Sequence, residues 1–416
     1  MVMASGDEEQ VCMLISFIIP VYNRASLLKE CLSSILSSSW RDFEIILVDN
    51  ASTDESPRVC DQYSAQYSFI HTVHLVTNRG PGPARKYGAE LATGKWLFFL
   101  DSDDLICTEN IESIVAKLST LPDEVDLVVI DMVDEFGGVQ WDYLYFSKYE
   151  ILTYQNFLEK YPTFVHVPLW NYLFKKESIR KKGLELPEIS HSEDVYFVHQ
   201  IFHTNGYIAC IPIRFYCYRY NVSNNSVVKY SQYDEIRMVE NQLMRQLCDY
   251  IKEYRISGDY IREKAYTQAL ISVAFYLMYL RYGHVTPHIK HVQYIELDSS
   301  CLEEIGIDKF IENVFHNVLQ KAKKCTCFLP RAGKASCFFA DYLFLYGHHV
   351  LGMFDNYSTE RFVITLQGHK IPVFLKSSAK DVCNSCPILF LDNSNVMAKM
   401  EKYFCEMGIK TIHWGL

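Results

Sequence analysis

The four residues Asp101-Ser102-Asp103-Asp104 carry the plainest chemical potential in the sequence. They follow Trp96 to Leu100, an apolar run that reads as a buried strand. Alternate residues at a strand end point the same way, so Asp101 and Asp103 are expected to face one ligand. Two neighbouring carboxylates repel each other unless a cation lies between or beside them. A hard ion such as Mg2+ or Mn2+ prefers such oxygens and commonly completes its shell with phosphate oxygens. There it would neutralise charge developing on a diphosphate leaving group. The alternative is an acidic helix N-cap, a position where Asp is favoured.

The elements needed to position this run are legible upstream. Leu14 to Ile19 is an apolar strand ended by Pro20, and Ala25 to Leu36 has apolar residues at helical spacing. Phe43 to Val48 is a second strand that ends at Asp49. Ser52 and Asp54 offer helix-capping oxygens. His71 to Val76 is a third strand, and Ala84 to Ala92 is a helix that Gly94 can terminate. The alternation predicts an α/β fold with a doubly wound parallel sheet. Ligands bind beyond the carboxyl ends of such strands, so Asn23, Asp49 and Asp101 should converge on one edge.

Composition narrows the partners. The chain has 416 residues, 49% of them hydrophobic, enough for two or three domains with cores of their own. Its 29 Tyr and 25 Phe suit an aromatic core, or surfaces that stack on bases or sugars. A formal charge of −10 argues against bulk attraction to nucleic acid or anionic lipid. Lys175-Lys176 and Arg180-Lys181-Lys182 form the densest basic patch, which a solvated helix face also explains. Met1 to Gln10 is polar and acidic, unlike a secretory leader. The apolar stretches Leu14 to Val21 and Ala269 to Leu280 fall short of the roughly 20 residues a membrane helix needs. A cytoplasmic protein is expected, with peripheral contact to the inner membrane left open. The 14 cysteines are then reduced, and most are small core residues. Cys325-x-Cys327 with Cys383-x-x-Cys386 is the alternative, a zinc site.

Three regions are predicted: residues 14–231, a helical region 232–324, and a C-terminal region 325–416. In the second, Ile236, Val239, Leu243 and Leu247 recur at helical spacing, as do Leu270, Val273, Leu277 and Leu280. The third alternates again, with strands at Cys325 to Leu329, Val350 to Phe354, Ile388 to Leu391 and Lys410 to Trp414. Helices are expected at Ser336 to Tyr346 and Asn395 to Met407. The pattern is that of half a Rossmann fold. Arg331 occupies the first glycine position of its dinucleotide loop and leaves only Gly333, although Asp355 lies where a ribose-binding acid would. An accessory domain for assembly or docking, including homo-oligomer formation, is the expectation.

Four segments in order complete the pattern: Ile18 to Asn23, Val48 to Asp54, Asn78 to Arg85, and Gly94 to Asp101. Together they resemble the family 2 inverting glycosyltransferases of the GT-A fold, over about 90 residues and more weakly to about residue 230. The resemblance is to enzymes of bacterial capsule and surface-polysaccharide synthesis. It implies that Asp49 accepts from the base of a uridine-type nucleotide. Pro20, Val21, Tyr22 and Asn23 line the nucleotide pocket. Asn78, Arg79 and Arg85 lie near the base or diphosphate, where a cation helps. Asp101 and Ser102 contact the ribose or metal, and Asp103 is the main ligand to Mn2+ or Mg2+. Lys86 departs from the family, which usually has Asn there.

An inverting transfer needs a base for the acceptor hydroxyl, and a carboxylate within reach suffices. Ser190 to Phe197 resembles the family's acceptor-side motif, which implies Asp194 as the base and Glu193 as the alternative. Both could instead cap a helix running from Val195 to Phe202. His191 is a candidate metal or diphosphate contact. Trp170, in Trp170 to Phe174, is a candidate sugar platform or a packing residue. Tyr216 to Arg219 with Asn225-Ser226-Val227 resembles the end of such domains, where Arg219 and Ser226 close over the donor. The implied function is transfer of a sugar from a UDP-sugar to a hydroxyl of a surface glycan. A nucleotide-sugar-binding scaffold without catalysis and transfer to a lipid phosphate are the alternatives.

Overall fold

A computed structural model describes residues 13–136, 139–143, 145–161, 168–189, 192–219 and 233–267, with short stretches between 269 and 413. The chain divides into two compact units, Met1–Lys160 with Phe164–Ser226, and Tyr161–Thr163 with Val227–Leu416.

The first unit is built on β1 (Ile15–Val21), α1 (Ala25–Leu36), β2 (Phe43–Asp49), α2 (Ser56–Gln66), β3 (Ile70–His74), α3 (Pro81–Leu91) and β4 (Trp96–Phe99). β2 is buried along its whole length and β1 at every residue but Pro20. That explains their unbroken apolar composition: a parallel strand covered on both faces has no solvent side for polar residues. α1 instead buries one stripe, Leu28, Cys31, Leu32 and Ile35. α3 begins three residues earlier than its apolar spacing predicts, because Pro81 and Pro83 are tolerated in a first turn that lacks intrahelical N–H partners anyway.

After β4 come β5 (Leu105–Ile106), α4 (Ile111–Ser119), β6 (Val125–Phe136), β7 (Val139–Tyr143), β8 (Glu150–Thr153), α5 (Tyr154–Lys160), β9 (Tyr172–Lys175), α6 (Lys176–Lys181), α7 (Glu193–His203) and β10 (Tyr207–Arg219). The ten described strands form one sheet of order β3-β2-β1-β4-β9-β6-β10-β5, with β7 on β6 and β8 on β10. The half from β3 to β4 is parallel. β9 then runs antiparallel to both β4 and β6. The result is the expected α/β fold, a twisted central sheet flanked by helices, with an antiparallel element in its middle. β1, β2 and β4 share a direction, so they end toward one edge at Val21, Asp49 and Phe99, shortly before Asn23 and Asp101 in the chain.

A buried carboxylate ties the opposite edge. Glu44 Oε1 accepts from Ser16 Oγ at 2.6 Å, Thr93 Oγ1 at 2.9 Å and the Gly94 amide at 3.0 Å, and also from the Thr93 amide. Ser16 Oγ in turn accepts from the Gly94 amide at 2.8 Å. A Cβ on Gly94 would lie 2.5 Å from Ser16 Oγ and 2.7 Å from the Ser16 amide nitrogen, so glycine is required where the chain turns into β4.

The second unit opens with α8 (Tyr233–Ser257), whose buried Val239, Leu243 and Leu247 lie on the predicted stripe. Residues 260–267 are helical too, and most of 268–325 lies outside the described residues. Its described strands are β11 (Thr326–Leu329), β12 (His349–Asp355), β13 (Phe362–Ile364), β14 (Lys370–Leu375), β15 (Ile388–Phe390) and β16 (Thr411–His413), in the order β13-β14-β12-β11-β15-β16. β14-β12-β11-β15-β16 are parallel, and β13 adds antiparallel to β14. The reversal of order beside β11 is that of a doubly wound sheet. The strands at 362–364 and 370–375 escape the sequence reading. The predicted helices at 336–346 and 395–407 lie outside the described residues, apart from Cys405. So do Arg331, Gly333, Cys325 and Cys386.

Candidate active site

The loops after β1 and β2 clasp each other. Asn23 has φ 53°, a left-handed conformation that Asn tolerates better than most residues. Its Oδ1 accepts from the amides of Thr53 at 2.8 Å and Asp54 at 3.3 Å, while its own amide donates to Ser52 Oγ at 3.0 Å. Ser52 therefore supports this loop rather than capping α2. Asp54 serves both helix starts, accepting from the Ser56 amide at 2.9 Å and the Ala25 amide at 3.3 Å. Tyr22 is exposed at this edge, and Val21 is buried beneath it. Asp49 accepts from the Ser52 amide at 3.1 Å and faces His74 Nδ1 at 2.9 Å. Asn50 extends the clasp by donating to Asn78 Oδ1 and the Gly80 carbonyl, both at 2.9 Å.

The acidic run lies among three arginines. Arg24 Nε donates to Asp103 Oδ2 at 3.2 Å. Arg85 donates to Asp101 Oδ1 at 2.6 Å through one Nη and to Glu193 Oε1 through the other. Arg219 Nε donates to the Asp103 carbonyl at 2.6 Å. Burial, then Asp101, pushes the Asp103 carboxyl above its ordinary value, against the pull of Arg24. Asp104 turns inward, accepting from the Tyr216 hydroxyl and from the Arg219 amide at 2.8 Å. Burial, then Asp101 and Asp103, raises its carboxyl well above the usual range. Asp104 is thus a structural anchor between the acidic run and the end of β10, and Ser102 is buried beside it.

Glu193 and Asp194 form the first turn of α7, two residues before the helix the sequence predicts. Asp194 Oδ1 accepts from the Val195 amide at 2.8 Å. Burial raises both carboxyls. Glu193 is pushed up to about 7 although Arg85 pulls it down, and Asp194 is raised against the same opposing pull. Arg85 joins the two halves of the site. Its side chain is 10% exposed and that of Glu193 is 5% exposed, so this is a largely dry ion pair. Arg79 and Lys86 point elsewhere. Arg79 Nη2 donates to Glu188 at 2.7 Å and Lys86 Nζ to the other Glu188 oxygen at 3.0 Å. Trp170 stacks on Tyr216 with centroids 4.6 Å apart and on Tyr218 at 5.9 Å, so part of its ring is committed to packing. His191, Asn225 and Ser226 lie outside the described residues.

Arg24, His74 and Glu188 are not singled out by the sequence, and Asp104 and Tyr216 enter only as members of longer motifs with no role of their own. Arg24 directly follows the Asn23 loop and Asp104 ends the acidic run, so proximity to a motif was the available signal. His74 and Glu188 have none.

α3 approaches the 187–189 loop closely. A Cβ on Gly82 would lie 2.4 Å from the Ile189 carbonyl oxygen and 3.0 Å from that of Pro187, both backbone atoms. Gly82→Ala is expected to lower unfolding free energy by about 1–3 kcal/mol in a urea titration. An unchanged midpoint would mean that the loop is free to retreat.

Among the described residues no group of three or more His, Cys, Asp or Glu forms a metal cage. Asp103, whose carboxyl is pushed up by burial and by Asp101, nonetheless fits, together with Asp101, a divalent ion whose remaining ligands are diphosphate oxygens and water. Among the described residues no helix is long and apolar enough to cross a membrane.

Residues 16–183 match the family model for glycosyl transferase family 2. The chain is 28% identical over 216 residues to EpsH of Bacillus subtilis (strain 168), covering 50% of this chain and 62% of that protein. It is 33% identical over 125 residues to the glycosyltransferase GlyG of Streptococcus pneumoniae serotype 4, covering 30% and 42%. The chain therefore spans about half the length of these relatives. Its fold is similar to that of S. aureus TarS 1-349, crystallised in complex with UDP-GlcNAc, at a TM-score of 0.50 and 18% identity, covering 75% of this chain and 93% of that one. Residues 16–183 are thus similar in sequence to family 2 glycosyltransferases, and the fold around them is GT-A-like.

Proposed function

We propose that this chain transfers a sugar from a UDP-sugar to a hydroxyl of a bacterial surface glycan, by direct displacement with inversion. The observation that carries this reading is Arg85, which spans Asp101 at the end of the parallel sheet and Glu193 at the start of α7. One buried cation thereby joins a donor-side acidic run to an acceptor-side carboxylate pair. The relatives fit the same setting. Another, 40% identical over 100 residues and covering 23% of this chain and 16% of that protein, is the poly(ribitol-phosphate) beta-glucosyltransferase of Bacillus spizizenii.

In this reading Asp49 accepts from the uracil ring, and the Pro20 to Asn23 loop with Asn78 and Arg79 lines the nucleotide pocket. Asp103, with Asp101, holds Mn2+ or Mg2+, which would supply positive charge to the departing diphosphate. Arg79 exchanges Glu188 for phosphate oxygens, a charge-assisted contact of the same kind. Arg219 braces the acidic run through the Asp103 carbonyl. Asp194 takes the acceptor proton, because Glu193 is held by Arg85. The nucleotide-sugar donor sets the reaction in the cytoplasm. The second unit is an accessory domain of Rossmann-like strand order, used for assembly or docking.

UDP release measured across a panel of UDP-sugars, with and without Mn2+, tests the reading. No release with any donor and a glycan acceptor would favour a binding scaffold. Asp194→Asn is expected to leave UDP affinity within about twofold while transfer falls roughly 10²–10⁴-fold, the usual span for loss of a general base. If UDP affinity collapses instead, Asp194 is not the base.

A further inference from the structure

We propose that His74 is a positioning residue for donor recognition: its imidazolium, held between Asp49 and Asp61, fixes the carboxylate that accepts from the donor's base. The inference rests on the reading of Asp49 as that acceptor.

The geometry is specific. His74 Nδ1 lies 2.9 Å from Asp49 Oδ2, and Nε2 lies 3.0 Å from Asp61 Oδ1. An ionised carboxylate only accepts, whereas a neutral imidazole has one N–H. Both contacts are satisfied together only when both ring nitrogens carry protons. The ring comes from β3, one carboxylate from β2 and the other from α2, so three elements meet at this proton. The remaining Asp49 oxygen is oriented by the Ser52 amide at 3.1 Å.

Among the described residues the charged groups that face the ring are Asp49 and Asp61. Their hydrogen bonds raise the imidazole above its ordinary value, Asp49 contributing most. Cys60 on α2 lies beside the same carboxylates, but burial, then Asp49 and Asp61, pushes its thiol up to about 12, so it stays neutral. As pH rises through the elevated value for His74, one carboxylate comes to face a lone pair. Asp49 then shares the one remaining N–H with Asp61 and is held only part of the time, and donor affinity falls. The loss is modest, because the ring is 40% exposed and solvent screens the pair.

Calorimetric titration of the full chain with UDP and Mn2+ between pH 6.5 and 8.5 tests this. The unaltered chain is expected to bind about 3- to 10-fold more weakly at the upper end, where one unit of coupling corresponds to about tenfold. His74→Gln is expected to lose this transition, since its amide does not titrate. Asp61→Asn, a change at an exposed side chain, is expected to move the transition to lower pH. Ratios between variants cancel the titration of UDP itself. A His74→Gln curve parallel to that of the unaltered chain, or an unmoved transition in Asp61→Asn, overturns the inference. Asp49→Asn separates the two levels. Normal UDP affinity in that variant defeats the reading of Asp49. Lost affinity there, with no pH effect through His74, defeats the present inference alone.

Discussion

Asp103→Ala is expected to reduce Mn2+-dependent UDP release by about 10³-fold, equivalent to roughly 4 kcal/mol of transition-state stabilisation. The physical ground is the state of the carboxyl. Asp103 is already pushed up by burial and by Asp101, and Arg24 offsets only part of this. A divalent ion is the natural relief for such a pair, and removing one of two carboxylates leaves too few anionic ligands to compete with water. The variant should also fail to bind Mn2+ in an electron paramagnetic resonance titration, a readout independent of turnover. Its thermal midpoint should stay within a few degrees, since the side chain contributes no apolar packing. Full turnover in Asp103→Ala would remove Asp103 from the metal site.

Arg85→Met is expected to cost about 3–5 kcal/mol of stability, the usual penalty for leaving buried charges without their partner. The guanidinium serves Asp101 and Glu193 at once, and its Nε has no partner among the described residues. Burial raises Glu193 to about 7 even with Arg85 present, so without it the carboxyl holds its proton to higher pH still. The penalty should therefore be smaller at pH 5, where Glu193 is neutral, than at pH 8, where ionisation has no counter-charge. Urea titrations at the two pH values check the sign. Equal losses at both would mean that Glu193 finds another cation. Arg85→Lys should not restore stability, because a single ammonium does not span both carboxylates as the fork does.

The sheet-edge half of the candidate site is legible in the sequence because its determinants are local. Buried parallel strands write themselves as apolar runs, and the polar residue that ends each run marks the ligand edge. Ile15–Val21, Phe43–Asp49 and Trp96–Phe99 all sit within about two residues of their predicted bounds. Ile70–His74 is displaced toward the N-terminus, since it is the edge strand and lies half in solvent, where the apolar signal fades. What the sequence hid is non-local. β9 is four residues long and owes its place to antiparallel pairing on both sides. β10 has shifts in register against β6, which break the alternation that would betray a strand. The same holds for the site. The family resemblance implies a place for Arg85 near the base or diphosphate, but its bridge to Glu193 spans 108 positions in the chain. Glu188 and His74 act through partners that no local spacing announces.

Glu44, the buried knot at the far edge of the sheet, makes that joint sensitive to acid. Burial alone would raise its carboxyl, yet the bonds from Ser16, Thr93 and Gly94 together bring it below its ordinary value. A depressed carboxylate contributes stability that is complete above its unfolded value of about 4.3 and drains away as pH falls through the folded one. Protonation would strip the acceptor from the turn that feeds β4, the strand that delivers Asp101 to the opposite edge. Acidification would thus loosen the root of β4 while the apolar core, which has no proton to gain, stays packed.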